Sequence, residues 1–495
     1  MTDKPLKVAI IGAGMGGLFM AEQFRVAGID YTIFEKAPQV GGTWYANTYP
    51  GLHVDVLTRS YEFPFARHHG WSRRYAPGPE VQDYLVRVAK SRGFMEHITF
   101  STEIAQANFN GKEWELTAKD GRHFSADAVI AATGFLRVPS IPSLPGKDTF
   151  AGPSFHSSAW DHSVDLKGKR IGVIGTGSSG VQIVTELGRQ GHHVTQFVRT
   201  PQWMMIRKNP KISLIERILL AIPGTAKLMD AHMKRMRVKI EGPDSWRFRP
   251  GPDRDRARAQ FAAELSQAIA DPELREKLTP TELAGCKRIA KTEFYYQVAQ
   301  QANVKIVAGG VAGIEPAGLV DSRGAFHPID VLVYATGFDS HAYMRPMQVR
   351  GIGGISLEDI WKNAVFSYKG VAIPRIPNFF MLNGPFAPVN LIPPPAGMAD
   401  QAKLILNILN VVRRDRVAVA PTEEATFRFR DEVRAELPLT TFGECHNWFT
   451  DQSGTPIVWP WNRAEHTRRL SEFEMDDFER IPLAPAPQAT ELELS

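Results

Sequence analysis

A chain of 495 residues is too long for one ordinary domain and calls for two or three with sizeable cores. Its hydrophobic content of 43% includes no uninterrupted apolar stretch long enough to span a bilayer, and a net charge of +5 without a nucleic-acid motif suits anionic cofactors rather than DNA or RNA. Two cysteines, Cys286 and Cys445, exclude a disulfide-dense scaffold and a CxxC redox pair, and together with the polar Met1 to Lys7 stretch, which leaves no room for a signal peptide, they predict a cytoplasmic protein.

The first element is an apolar strand, Val8-Ala9-Ile10-Ile11, running into Gly12-Ala13-Gly14-Met15-Gly16-Gly17 and followed by Tyr31-Thr32-Ile33-Phe34 and Glu35. In such a strand, loop and helix the first glycine makes the tight turn, the second lets the backbone approach a pyrophosphate, and the third allows close packing of helix on strand. A carboxylate ending the second strand accepts hydrogen bonds from a free ribose 2′-hydroxyl, so Gly12, Gly14, Met15, Gly17 and Glu35 predict a site for FAD or NAD. An irregular stretch from Gly41 to about Pro79 is long for a loop and marks a candidate for function. A helix is expected over 80–92 and strands over 113–117 and 128–132, with Asp120-Gly121 as a hairpin turn. Prolines 139, 142, 145 and 153 mark a crossing into a second domain.

That second domain repeats the plan. Ile171-Gly172-Val173-Ile174 runs into Gly175-Thr176-Gly177-Ser178-Ser179-Gly180, and the strand Val194–Val198 ends in Arg199-Thr200. A guanidinium where the first unit has a carboxylate attracts a 2′-phosphate, which predicts NADPH bound by this loop, Gln182, Arg199 and Thr200. From 205 to about 284 a basic, helical insertion interrupts the pattern, with helices expected over 212–222 and 254–269; its charged face is either solvated or in contact with a membrane surface. Strands over 305–307 and 331–334 follow, and Ala335-Thr336-Gly337-Phe338 echoes Ala132-Thr133-Gly134-Phe135, so the chain leaves the first domain and later returns to it. The expected fold class is therefore α/β: two nested doubly wound, Rossmann-like domains with a helical insertion. The boundaries expected are 1–140 and 335–481 for the first domain, 141–207 and 285–334 for the second, 208–284 for the insertion, and 482–495 for a disordered tail.

Between the two loops lie Phe150, Gly152, His156, Trp160 and Asp161, spaced as F-x-G-x-x-x-H-x-x-x-W-[PD], and Gly41, Gly42, Trp44, Tyr49, Pro50, Gly51 and Asp55 fill [AG]-G-x-W-x4-[FY]-P-[GM]-x3-D. In both patterns the chain resembles the type I Baeyer–Villiger monooxygenases, and the resemblance covers nearly its whole length. It implies a flavin that is reduced by NADPH, holds O2 as a C4a-peroxide and converts a ketone to an ester or lactone. It implies Arg288 as the fixed positive partner of that peroxide, oriented by Asp55, with Lys287 on the 2′-phosphate. An arginine suits this duty because its charge is kept at any working pH. Thr43, Trp44 and Tyr61 are expected beside the flavin. Trp448, in Cys445-His446-Asn447-Trp448, is expected beside the nicotinamide. His156 reads as a linker residue rather than a base, Cys286 as a small buried residue, and no metal-ligand spacing appears. Phe386, Leu391 and Ile392 suggest bulky apolar ketones as substrates. Three rivals share parts of the pattern: an oxygenase of sulfides or amines, a disulfide reductase that would need a cysteine pair, and a flavin-binding sensor without catalysis.

Overall fold

The computed structural model describes residues 5–222, 224–225, 228, 249–388, 392–444, 447–451 and 454–484. Lys7–Ile11 sits inside a six-stranded sheet ordered Ala372–Ile373, Ile376–Met381, Ala128–Ala131, Lys7–Ile11, Asp30–Phe34, Ile98–Thr99. All pairings are parallel except that of the edge strand Ala372–Ile373. The inner strands read as continuous apolar runs because both faces are covered, and Ile10, Ile130 and Phe379 are wholly buried. Ile376–Met381 lies far along the chain from its neighbour Ala128–Ala131, so the chain does return to the first sheet.

The second sheet has five parallel strands, ordered Val304–Ala308, His193–Val198, Arg170–Ile174, Val331–Tyr334, Ser154–His156. The returning turn meets the outgoing connection. Ser140 donates its N–H to the Gly337 carbonyl at 2.9 Å, Asp339 donates to Val138 at 2.9 Å, and the Thr336 hydroxyl donates to the Ser140 carbonyl at 2.6 Å. Outgoing and returning connections therefore run side by side as one two-stranded joint.

Several expected elements shift. The helix of 80–92 spans Gly78–Ser91, and those of the insertion span Leu214–Ala221 and Pro252–Ala268, with a further Pro272–Leu278. Met204–Ile206 pairs in parallel with Ala290–Thr292 and ties the two ends of the insertion together. The run Pro393-Pro394-Pro395 opens the helix Pro394–Asp415, since proline is well suited to the first turn where its missing N–H costs nothing. Pro482 is also ordered: it ends the strand Phe478–Pro482, and Ala484 donates to the Gly111 carbonyl at 2.9 Å, so residues 482–484 of the expected disordered tail are packed. The remainder of that tail lies outside the described residues.

Candidate active site

The two glycine loops have matching geometry. Gly12 has φ +106° and Gly175 has φ +125°, and a Cβ on either would stand 2.7 Å from the Ala132 carbonyl oxygen or 2.2 Å from that of Ala335. Both therefore need glycine twice over, for the turn and for the close crossing of the neighbouring connection. The third glycines pack back on the first: a Cβ on Gly17 would lie 1.9 Å from the Gly12 oxygen, and one on Gly180 would lie 2.5 Å from the Gly175 oxygen. Around Gly177 a Cβ would meet nothing within 4 Å, which leaves the open backbone surface a pyrophosphate requires.

Both loops open into one cavity of about 1320 Å³. That exceeds the roughly 300–1,000 Å³ usual for a single small ligand and suits two dinucleotides meeting end to end. Every residue expected at a cofactor lines it except Gly17 and Gly180, whose part is the close packing just described. Glu35 is buried and its carboxylate accepts the N–H groups of Ala13 at 2.6 Å and Ala37 at 2.8 Å, which fixes it against the loop. The Thr176 hydroxyl donates to the Thr200 carbonyl at 3.0 Å and binds the second loop to the end of its strand. Arg199 is exposed into the cavity rim, while Lys287 is ion-paired with Glu282 at 2.7 Å.

Arg288 and Asp55, 233 residues apart in sequence, form a two-pronged pair: Nε donates to Oδ2 at 2.9 Å and Nη2 to Oδ1 at 2.7 Å. The Asp55 side chain is 15% exposed and that of Arg288 39%, so the carboxylate is the anchor and the guanidinium keeps a face toward the cavity it lines. Burial alone would raise the Asp55 pKa, but the charges of Arg288, Lys291 and His53 and the hydrogen bond from Arg288 outweigh it and hold the carboxyl below its ordinary range. Asp55 in turn raises the Arg288 pKa further. Beside them the Trp44 indole N–H donates to the Tyr61 hydroxyl at 3.0 Å with the rings edge to face, and burial pushes the Tyr61 phenol up to about 12.

The sequence reasoning missed how the two domains grip each other here. Tyr49 donates its hydroxyl to Gln182 Oε1 at 3.0 Å, Ser179 donates to Tyr49 at 3.1 Å, and Gln182 Nε2 donates to the His53 carbonyl at 3.0 Å. A Cβ on Gly51, at φ +82°, would sit 2.7 Å from the Gln182 carbonyl oxygen. The stretch that carries Asp55 is thus pressed onto the helix Ser178–Arg189 of the other domain. Gln182, expected at a cofactor, lines the cavity but spends both ends of its side-chain amide on this clasp. The filled Tyr49-Pro50-Gly51 motif was the available signal. Arg137 was also missed; it lines the cavity and donates to the Tyr343 carbonyl at 2.9 Å.

The linker motif lies elsewhere. Phe150, Gly152, His156, Trp160 and Asp161 do not line the cavity, although Ser158 and Ala159 between them do. A Cβ on Gly152 would stand 2.3 Å from the Asp330 carbonyl oxygen, and His156 pairs with Tyr334 at the sheet edge. His156 is buried, its Nδ1 is 2.8 Å from the Ser158 hydroxyl, and burial lowers its pKa, so it stays neutral. These residues bind the linker to the second sheet.

Trp448 lines the cavity with its ring stacked against Phe135, whereas Cys445 and His446 lie outside the described residues. Cys286 is buried as expected but is disulfide-bonded rather than a free packed thiol. Phe386 is a second correction: it is buried against Phe429 and does not reach the cavity. Of the three residues taken as hints of a bulky substrate, Ile392 lines the cavity and Leu391 lies outside the described residues. Among the described residues no group of three His, Cys, Asp or Glu side chains is placed to hold a metal ion, and no helix is long and apolar enough to cross a membrane.

A family profile described as pyridine nucleotide-disulphide oxidoreductase matches residues 9–244, the stretch that holds both glycine loops. That profile spans the two-dinucleotide plan; the sequence has no CxxC redox pair, since its two cysteines, Cys286 and Cys445, lie far apart along the chain. The chain is 38% identical to an uncharacterized monooxygenase of Mycobacterium tuberculosis over 97% of both chains. It is 34% identical to a Baeyer-Villiger monooxygenase of Streptomyces coelicolor over 97% of this chain and 94% of that one. Its structure matches cyclohexanone monooxygenase from Rhodococcus sp. Phi1 bound to NADP+ with a TM-score of 0.85, 28% identity, and 97% and 100% of the two chains covered. With the two glycine loops, the Arg288–Asp55 pair and these likenesses together, the chain belongs to the flavin-dependent monooxygenases of the Baeyer–Villiger type.

Proposed function

We propose that the protein uses FAD and NADPH to insert one atom of O2 beside a ketone carbonyl, giving an ester or lactone. The observation that carries this reading is the exposed face of a guanidinium, fixed from behind by a carboxylate, in a cavity that both dinucleotide loops share. The residues present fit the two cofactors: the open surface at Gly177, the tight glycine turns and the opposed end charges of Glu35 and Arg199 are what two different dinucleotides require. Glu35 would hold the adenosine ribose of FAD, and Arg199 with Lys287 would hold the 2′-phosphate of NADPH after Lys287 exchanges Glu282 for it.

When bound, the reduced flavin supplies activated oxygen. The chain's own residues then do three things. Arg288 holds a positive charge beside the oxygen that becomes negative as the carbonyl is attacked, and Asp55 keeps that charge aimed. Trp44 and Tyr61 wall the pocket and keep water out. The Tyr49–Gln182–His53 clasp holds the Asp55 stretch in register with the second domain, so that the nicotinamide and the guanidinium stay together. The test is product identification after incubation with NADPH, O2 and matched panels of ketones and sulfides. Esters from ketones support the proposal. Sulfoxides with untouched ketones would transfer it to the soft-nucleophile branch.

A further inference from the structure

A soluble protein turns the apolar stripe of a surface helix inward. Leu214–Ala221 does the opposite: Leu214 and Ile215 are 71% and 72% exposed, and Ile218, Leu219 and the following Ile222 between 56% and 47%. At about 100° per residue these five fall within an arc of about 140°, while Leu220, on the far side, is buried. The outward face of the helix is therefore wholly apolar.

The rim is basic. Arg74, Arg207, Lys208 and Lys211 are all exposed, and the two segments that carry them meet just ahead of the helix: Arg74 donates its N–H to the Pro210 carbonyl at 3.3 Å, and Ile212 donates to that of Ser72 at 2.9 Å. Glu216, the acidic side chain of the helix, is already engaged with Arg74 at 3.6 Å. An apolar stripe rimmed by cations fits a surface whose interior is hydrocarbon and whose headgroups are anionic. Two copies pairing through this face about a twofold axis would bring the cationic rims together, which disfavours self-association. The segment is also tied to the strand after Arg288, since Glu293 accepts the Asn209 N–H at 2.9 Å, so docking here would hold the cavity near a lipid phase in which apolar carbonyl compounds dissolve.

We propose that Leu214–Ile222 docks this protein on an anionic membrane surface. The inference goes beyond the oxygenation reading and is tested without it, by flotation of the full-length, flavin-loaded protein with vesicles in the absence of NADPH and ketone. Binding to vesicles of phosphatidylcholine with one-third phosphatidylglycerol is expected, with little binding to phosphatidylcholine alone and a loss in high salt. Replacing Leu214, Ile215, Ile218 and Leu219 together by Ser should abolish binding while flavin content and NADPH oxidation persist. As a second variant, Lys208→Gln with Lys211→Gln should weaken binding about 25-fold, near fivefold per charge. Three results would overturn the proposal: no binding by the parent protein, unchanged binding by both variants, or a parent dimer that the Ser variant converts to monomer.

Discussion

Replacing Arg288 by Ala separates catalysis from folding because the two losses differ in size. The pair it breaks is half open, with the Arg288 side chain 39% exposed, so solvent screens much of the attraction; Asp55 also keeps Lys291 and His53 nearby. Loss of stability should then be about 1–2 kcal/mol, between the values for exposed and buried pairs. The transition state loses more: removing one preorganised donor costs roughly 10²- to 10³-fold in rate, or about 2.7–4 kcal/mol. The variant should therefore fold, hold FAD and still oxidise NADPH, while ester formation falls at least a hundredfold and the oxygen consumed appears as hydrogen peroxide. Gas chromatography of the product, peroxide assay and flavin absorbance read the three quantities on one sample. Ester formed at the parent rate would refute the role given to Arg288, and an unfolded or colourless variant would mean that the pair is structural.

Arg199→Ala should weaken NADP+ binding about 10- to 150-fold and leave NAD+ binding unchanged, as one charge-assisted hydrogen bond of about 1.5–3 kcal/mol is removed; calorimetry with both nucleotides checks it, and an equal loss for NAD+ would contradict it. Gly180→Ala places a Cβ 2.5 Å from the Gly175 oxygen, where backbone must move, so a destabilisation of about 1–3 kcal/mol with weakened NADP+ binding is expected in urea titration. The depressed Asp55 pKa has a definite sign: the carboxylate is favoured by folding, so its contribution is present above the ordinary carboxyl range and is lost as pH falls through the lower folded value. The stability difference between the parent and Asp55→Asn should hence stay flat from about pH 9 to about pH 5 and shrink only below about pH 4. A difference that titrates near neutrality would contradict the pairing.

What could be read from the chain alone followed the range of the interaction. The glycine loops, their strands and the opposed charges of Glu35 and Arg199 are encoded within some thirty residues each, and in the structure both loops and both charges line one cavity. The Arg288–Asp55 pair spans 233 residues, and no periodicity links its members; it was legible only through likeness to a family. The Tyr49–Gln182–His53 clasp depends on packing between segments and left no sequence trace beyond the motif around Tyr49. By contrast, the helix Pro394–Asp415 was readable: after its prolines, Met398, Ala402, Ile405, Leu409 and Val412 recur at helical spacing and are all buried.

The most direct measurement is mass spectrometry of the product made from an apolar ketone, NADPH and ¹⁸O₂ by the purified protein. An ester or lactone that carries a single ¹⁸O, in the bond next to the original carbonyl, is the predicted result. NADPH consumed with every ketone of a broad panel unchanged and only labelled peroxide released would contradict it.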